Sequence, residues 1–257
     1  MSARQGLVGH SGFVGTTLKK QTQFEAQFRS TDIASIRGQS FDLLVIAGAP
    51  AQKWLANREP EADRARIEGL MAQLQTVSAR RVVLISTVDV FSSPIAVDEE
   101  TPVHEAGLQP YGLNRRRLER FVTDWAPQPL VVRLPGLVGP GLRKNVLYDF
   151  QHNNNLDAID HRGVFQFYPM VNLWSDITTA LKANLSLVHL TAEPISVADV
   201  AQHGFGRSFA NTTGTVARYD FRTRHASLFG GEGTYQYARR ETLMAIRAYA
   251  QSEPQEP

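Results

Sequence analysis

Tyr111 and Arg115, within YGLNR, lie four residues apart, so on a helix they share one face. A phenol titrates near pH ~10, and it works as an acid or base at neutral pH only where a positive charge stabilises its phenolate. A cation at i+4 supplies that charge. Such a phenol can give or take a proton while hydride moves to or from a redox cofactor. Arginine keeps its own proton, so it holds a fixed charge and donates hydrogen bonds but relays no protons. The bland alternative is an amphipathic helix that happens to carry Tyr111. Arg116 and Arg117 read as a solvated basic face.

A second feature bears on the redox reading. GHSGFVG spaces Gly9, Gly12 and Gly15 as G-x-x-G-x-x-G. It follows the apolar QGLVG and opens the helical GFVGTTLKKQ. Glycines let a backbone turn tightly beside a pyrophosphate, and the helix start, with Phe13 and Val14, offers unbonded N–H groups to it. The strand-to-helix context makes a dinucleotide loop a better reading than a plain turn.

These residues need a frame. QGLVG (5–9) and the alternating FEAQFRS (24–30) read as strands. FDLLVIAGA (41–49), RVVLIST (81–87) and PLVVRLP (129–135) are continuous apolar runs, as in strands buried on both faces of a parallel sheet. Between the second and third, apolar residues recur at helical spacing from about Glu59 to Val77, and PYGLNRRRLERFVTDW (110–125) is a further helix. The alternation predicts an α/β fold: a Rossmann-type, doubly wound parallel sheet with a small C-terminal substrate lobe. Residues 1–141 are expected to form the dinucleotide-binding domain. Residues 142–257 form a mixed region, with helical patterns at 173–181, 197–204 and 238–250 and segments returning to the core. The lobe is placed over the carboxyl ends of the strands, where open α/β sheets bind ligands.

Composition narrows the options. With 257 residues, 42% hydrophobic and 20% charged, the chain can bury a sizeable core. A net charge of +2 gives no support for a nucleic-acid partner. The absence of cysteine removes thiolate chemistry and fits a cytoplasmic setting. The seven histidines show no metal-ligand spacing, so no metal is expected. No apolar run is long enough to span a bilayer, so no membrane partner is expected. The tail QSEPQEP is expected to fray.

Together, GHSGFVG, FDLLVIAGAP, ISTVDVF, YGLNR, VVRLPGLVGPG and, more loosely, EPISVADVA resemble the extended short-chain dehydrogenases/reductases, the NAD-dependent epimerase/dehydratase family. The order and spacing of the pieces carry the resemblance over most of the chain. It implies that Thr87, four before Phe91, binds the substrate oxygen, that Tyr111 is the acid/base, and that Arg115 stands where the family's YxxxK has lysine. Asp89 matches a glutamate that acts as a base in some members, although Val88 leaves the acidic pair of the sugar 4,6-dehydratases incomplete. Ala47, Gly48 and Pro135 would border the cofactor. Arg143, Lys144 and Asn145 would meet a substrate diphosphate, and Gln166 would line the substrate side. Gly136 replaces an asparagine found there in several epimerases.

In a Rossmann fold an acid about twenty residues past the loop binds the ribose hydroxyls, whereas arginine accommodates a 2′-phosphate. Asp32 favours NAD; Arg29 and Ser30 favour NADP, towards which the reading leans. The implied activity is oxidoreduction or epimerisation at a hydroxyl or ketone of a sugar, nucleotide sugar or smaller carbonyl compound. A homodimer is implied too, with the 110–125 helix as its candidate element. The other function class is a non-catalytic NAD(P)-binding redox sensor, favoured by the missing lysine.

Overall fold

The computed structural model describes residues 4–253. In chain order the first elements are β1 (Gln5–Val8), α1 (Phe13–Gln21), β2 (Ala26–Phe28), β3 (Ser40–Ile46), α2 (Lys53–Arg58), α3 (Pro60–Leu74) and β4 (Ser78–Thr87). Next come β5 (Ile95–Val97), α4 (Pro110–Trp125), β6 (Pro129–Leu134), β7 (Gly136–Val138) and α5 (Val146–His152). The chain ends with β8 (Val164–Phe165), β9 (Phe167–Pro169), α6 (Leu173–Lys182), β10 (Leu187–His189), β11 (Ile195–Ser196), α7 (Val197–Asp199), β12 (Asp220–Phe221) and α8 (Arg239–Ser252).

Six strands form one sheet in the order β2-β1-β3-β4-β6-β10. The β1–β2, β1–β3 and β3–β4 registers are parallel. The chain first adds β2 on one side of β1 and then β3 on the other. The order therefore reverses at β1, which opens the crevice that α/β sheets use for ligands. Leu44, Val45 and Ile46 of β3 and Val82 and Val83 of β4 are fully buried, as continuous apolar strands covered by helices on both faces should be. One layer of that cover is α3 and α4: Ile67, Leu74, Leu118 and Val122 pack on Leu44, Ile46, Val82 and Leu84.

Two compact units divide the chain. The first takes residues up to Ser92, Pro102–Arg133 and Trp174–Val188, so α6 returns to the sheet side of the fold. The second takes Ser93–Thr101, Leu134–Leu173 and the residues from His189 on. It contains three two-stranded pairings, β5 with β12, β7 with β9 and β8 with β11.

Several elements differ from expectation. The strand expected over 24–30 shrinks to Ala26–Phe28, because the Asp32 carboxylate accepts the Arg29 N–H at 2.7 Å and turns the chain. The helix expected over 197–204 is one α-helical turn running into a π-helical one at Val200–Gly204. Helix α2, not foreseen, precedes α3. The tail's first residues complete α8 rather than fray, and its last four lie outside the described residues.

Candidate active site

The glycine loop behaves as its spacing requires. Gly9 leaves β1 with φ +89°, and a Cβ there would sit 2.4 Å from the Ala47 carbonyl oxygen. That contact brings the ends of β1 and β3 together and places Ala47 and Gly48 beside the loop. A Cβ on Gly15 would lie 2.1 Å from the Gly9 oxygen, so only glycine lets α1 start this close to the turn. Gly12 is different: a Cβ there meets only the Gly9 oxygen, at 3.6 Å. Gly12 is the N-cap of α1, with no side-chain cap and no acid in the first turn. The N–H groups of the first turn, at Phe13 and Val14, thus lack intrahelical partners, and this positive end suits an anion such as a pyrophosphate.

The loop yields a paired prediction. Gly15→Ala should destabilise the fold by about 2 kcal/mol, since backbone must move. Gly12→Ala should leave thermal unfolding little changed and, on the dinucleotide reading of the loop, weaken binding by adding a methyl at the uncapped helix start. Thermal melts with calorimetric titration separate the two; equal behaviour of both variants would refute the assignment.

Beyond β2, Asp32 is committed to its own turn. One carboxylate oxygen takes the Arg29 N–H, and the other lies 3.6 Å from the Arg29 Nε. Both side chains, and Ser30, are exposed.

The Tyr111 site lies at the end of β4. Pro110 begins α4 at a position where its missing N–H costs nothing. The Tyr111 N–H donates to Asn57 Oδ1 of α2 at 3.0 Å. Gly112 follows because a Cβ there would lie 2.0 Å from the Asp89 carbonyl oxygen. Helix α4 therefore presses directly on the turn that ends β4. The Tyr111 side chain is only 8% exposed. Burial pushes its phenol above the ordinary value; Arg115 opposes that, Asp89 adds to it, Lys53 opposes and Asp63 adds.

Arg115 is buried, at 3% exposure, and its guanidinium stacks 4.0 Å from the Tyr111 ring centroid. Its Nη1 donates to Asp63 Oδ2 of α3 and its Nη2 to the Pro50 carbonyl. Asp63 is 2% exposed and also accepts from Asn114 Nδ2 at 2.8 Å. The cation thus holds a fixed charge on the phenol's ring face, and two of its donors are spent on protein acceptors.

Thr87 and Asp89 bond to each other. The Asp89 N–H donates to Thr87 Oγ1 at 3.2 Å, and the threonine hydroxyl donates to Asp89 Oδ2 at 3.3 Å. This is the strand-end self-bonding that short polar side chains favour. Asp89 Oδ1 receives Lys53 Nζ of α2 at 2.6 Å. A second buried network anchors α4 to the sheet: Glu119 accepts from Ser86 of β4 and from both Nε and Nη2 of Arg133 of β6. Arg116, expected to be solvated, joins this network through Glu119 Oε2 at 2.9 Å. Arg117 donates to Asn114 Oδ1 at 3.0 Å.

In the second unit the expected substrate residues separate. Gln166 is 1% exposed; its Nε2 donates to Thr191 Oγ1, Ala192 O and Phe221 O, and its Oε1 accepts from Phe221 N. Its amide ties Thr191, Ala192 and Phe221 together. Asn145, with φ 95°, caps α5 through Leu147 N and donates to Leu137 O. Arg143 and Lys144 are exposed beside it, and Pro135 is buried. Among the described residues no group of three or more acids and histidines is placed to hold a metal ion, and no helix is long and apolar enough to cross a membrane.

Sequence reasoning missed Asp63, Lys53, Asn57 and Gly112. Only Asp63 carried a signal: it shares the stripe of Ile67, Leu70 and Leu74, an acid on a buried face.

No family model matches the sequence, and no curated protein matches it. Solved structures do. A dTDP-4-dehydrorhamnose reductase from Bacillus anthracis in complex with NADP superposes with a TM-score of 0.74 at 16% identity, covering 98% of this chain and 100% of that one. A UDP-glucose 4-epimerase from Thermotoga maritima with UDP-glucose gives 0.70 at 13% identity, covering 96% and 97%. WbmG from Bordetella bronchiseptica in complex with NAD gives 0.75 at 14% identity, covering 98% and 94%. Over nearly its whole length, the chain has the fold of the extended short-chain dehydrogenases/reductases.

Proposed function

We propose that the chain is an NAD(P)-dependent oxidoreductase or epimerase acting on a hydroxyl or ketone of a sugar, a nucleotide sugar or a similar small carbonyl compound. The observation that carries this reading is the Tyr111 phenol, buried under a fixed guanidinium at the end of β4. The glycine loop follows β1 in the same sheet, and the uncapped start of α1 fits a dinucleotide pyrophosphate. The nicotinamide, when bound, supplies or accepts hydride. Tyr111 gives its proton to the substrate oxygen in reduction and takes it back in oxidation, while Arg115 keeps a positive charge on the ring.

Within this reading the cofactor is NADP. Asp32 spends one carboxylate oxygen on the Arg29 N–H, which supports an exposed Arg29 as the group that would meet a ribose 2′-phosphate. NADPH should bind about tenfold or more tighter than NADH, the worth of a charge-assisted hydrogen bond, and Arg29→Ala should erase the difference. Calorimetric titration with both nucleotides measures it; tighter NADH binding would reverse the choice.

The activity is tested by mixing the purified protein with NADPH or NADH and a panel of keto-sugars and small carbonyls, following absorbance of the reduced cofactor. Turnover supports the enzyme. Tight cofactor binding without turnover across the panel supports a redox-sensing protein. One observation favours that second reading: the Arg115 donors that would reach a cofactor ribose are engaged by Asp63 and Pro50.

A further inference from the structure

We propose that Lys53 is a positioning residue of the Tyr111 site: through its ion pair with Asp89 it supplies the solvent-reachable positive charge that Arg115, sealed against Asp63 and Pro50, does not. This rests on the reading of Tyr111 as the acid/base.

The geometry divides one lysine's work between two side chains. A lysine at i+4 would be both a charge and a titratable group, whereas arginine is only the first. Arg115 is 3% exposed and cannot lose its proton. The Lys53 side chain is 45% exposed and reaches Asp89 Oδ1 at 2.6 Å. Asp89 is not a remote partner. Its other carboxylate oxygen accepts from Thr87, and its carbonyl touches α4 at Gly112, the residue after Tyr111. Helix α2 is held in register at both ends, by Lys53 on Asp89 and by Asn57 on the Tyr111 N–H. The short helix between β3 and α3 thus sets a cation at the acid/base site.

Four charged groups bear on the phenol, one from each element packed around it: Arg115 on α4, Asp89 after β4, Lys53 on α2 and Asp63 on α3. Arg115 and Asp63 pair with each other away from solvent. Lys53 and Asp89 form the partly exposed pair, at 45% and 20% exposure, so this pair is the one solvent protons can reach.

The test reads Tyr111 alone and needs no turnover. With 3,5-difluorotyrosine in place of Tyr111, the phenol titrates well below ordinary tyrosine, and its 19F resonance reports that residue only. Lys53→Met should raise the midpoint, since a positive charge that favours the phenolate is removed. Lys53→Arg should leave it in place. The idea is overturned if Lys53→Met leaves the midpoint unchanged, or if Lys53→Arg moves it as far as Lys53→Met does. Because the readout is ionisation rather than hydride transfer, a chain without turnover can still show the coupling, and a working enzyme can still lack it.

Discussion

Asp63→Asn should lower the stability of the folded chain by about 3–5 kcal/mol, a fall in melting temperature on the order of 10 °C. The expected size comes from what remains after the change. Arg115 stays charged at 3% exposure, with the Pro50 carbonyl and the face of Tyr111 as its company. A neutral amide cannot balance that charge, and breaking one half of a buried pair costs far more than the pair contributes. The amide oxygen can still accept from Asn114, but it brings no charge to set against the guanidinium. The double variant Asp63→Leu/Arg115→Met should recover most of the loss, since both charges leave the interior together. Arg115→Lys should fall between the two: an ammonium can meet Asp63 but lacks the second arm that reaches Pro50 and the flat surface that covers the ring. Calorimetric unfolding of the four chains decides it. A melting temperature for Asp63→Asn equal to that of the unchanged chain would show that Arg115 finds solvent by a small movement, and the sealed-cation account of this site would fail.

The fold was legible in the sequence wherever one physical signal dominated. The apolar runs at 44–46 and 82–84 became fully buried strand segments. GHSGFVG became a turn whose glycines, at Gly9 and Gly15, are dictated by backbone approach rather than by any side chain. Tyr111 and Arg115 did meet on one face of α4. What failed to show was contact between distant segments. Nothing around Lys53 points forward to Asp89, because an ion pair across 36 residues is a property of the packed sheet end. Gln166 and Asn145 show a second limit: residues singled out for their polarity also bond to Phe221, Ala192, Leu147 and Leu137 once the chain packs. A buried amide satisfies its own unit first, and spacing along the chain cannot reveal when that has happened.

Arg115 also changes meaning once its partners are known. As a replacement for lysine it suggested an altered active site. As the partner of Asp63 it is half of a buried pair joining α3 to α4, and the phenol's orientation depends on that joint. Structure and chemistry share one residue here, so Arg115 variants alone would confuse loss of fold with loss of reaction.

Tyr111→Phe avoids that confusion. It removes one oxygen and keeps the ring under the guanidinium, so the helix start and the cofactor loop should stay as they are. Turnover should fall by about 10²–10⁴-fold, the usual worth of a positioned general acid, with dinucleotide affinity nearly unchanged. The pH behaviour gives a second, independent sign. Burial raises the folded phenol above its unfolded value of about 10, so the group is neutral at physiological pH. Reduction, which needs the proton on Tyr111, should therefore hold steady through neutrality and decline only in alkali. Oxidation, which needs the phenolate, should rise with pH over the same range. Stability follows the same linkage. The folded state holds the proton more tightly than the unfolded chain, so this contribution is complete below about pH 10 and is lost as pH rises towards the folded value. Tyr111→Phe should remove that part of the alkaline destabilisation, which melts at pH 8 and at about pH 10.5 would register. Full turnover in Tyr111→Phe would place the acid elsewhere, and Asp89, bonded to Thr87 and Lys53 at the same strand end, is the group to which the chemistry would then have to be moved.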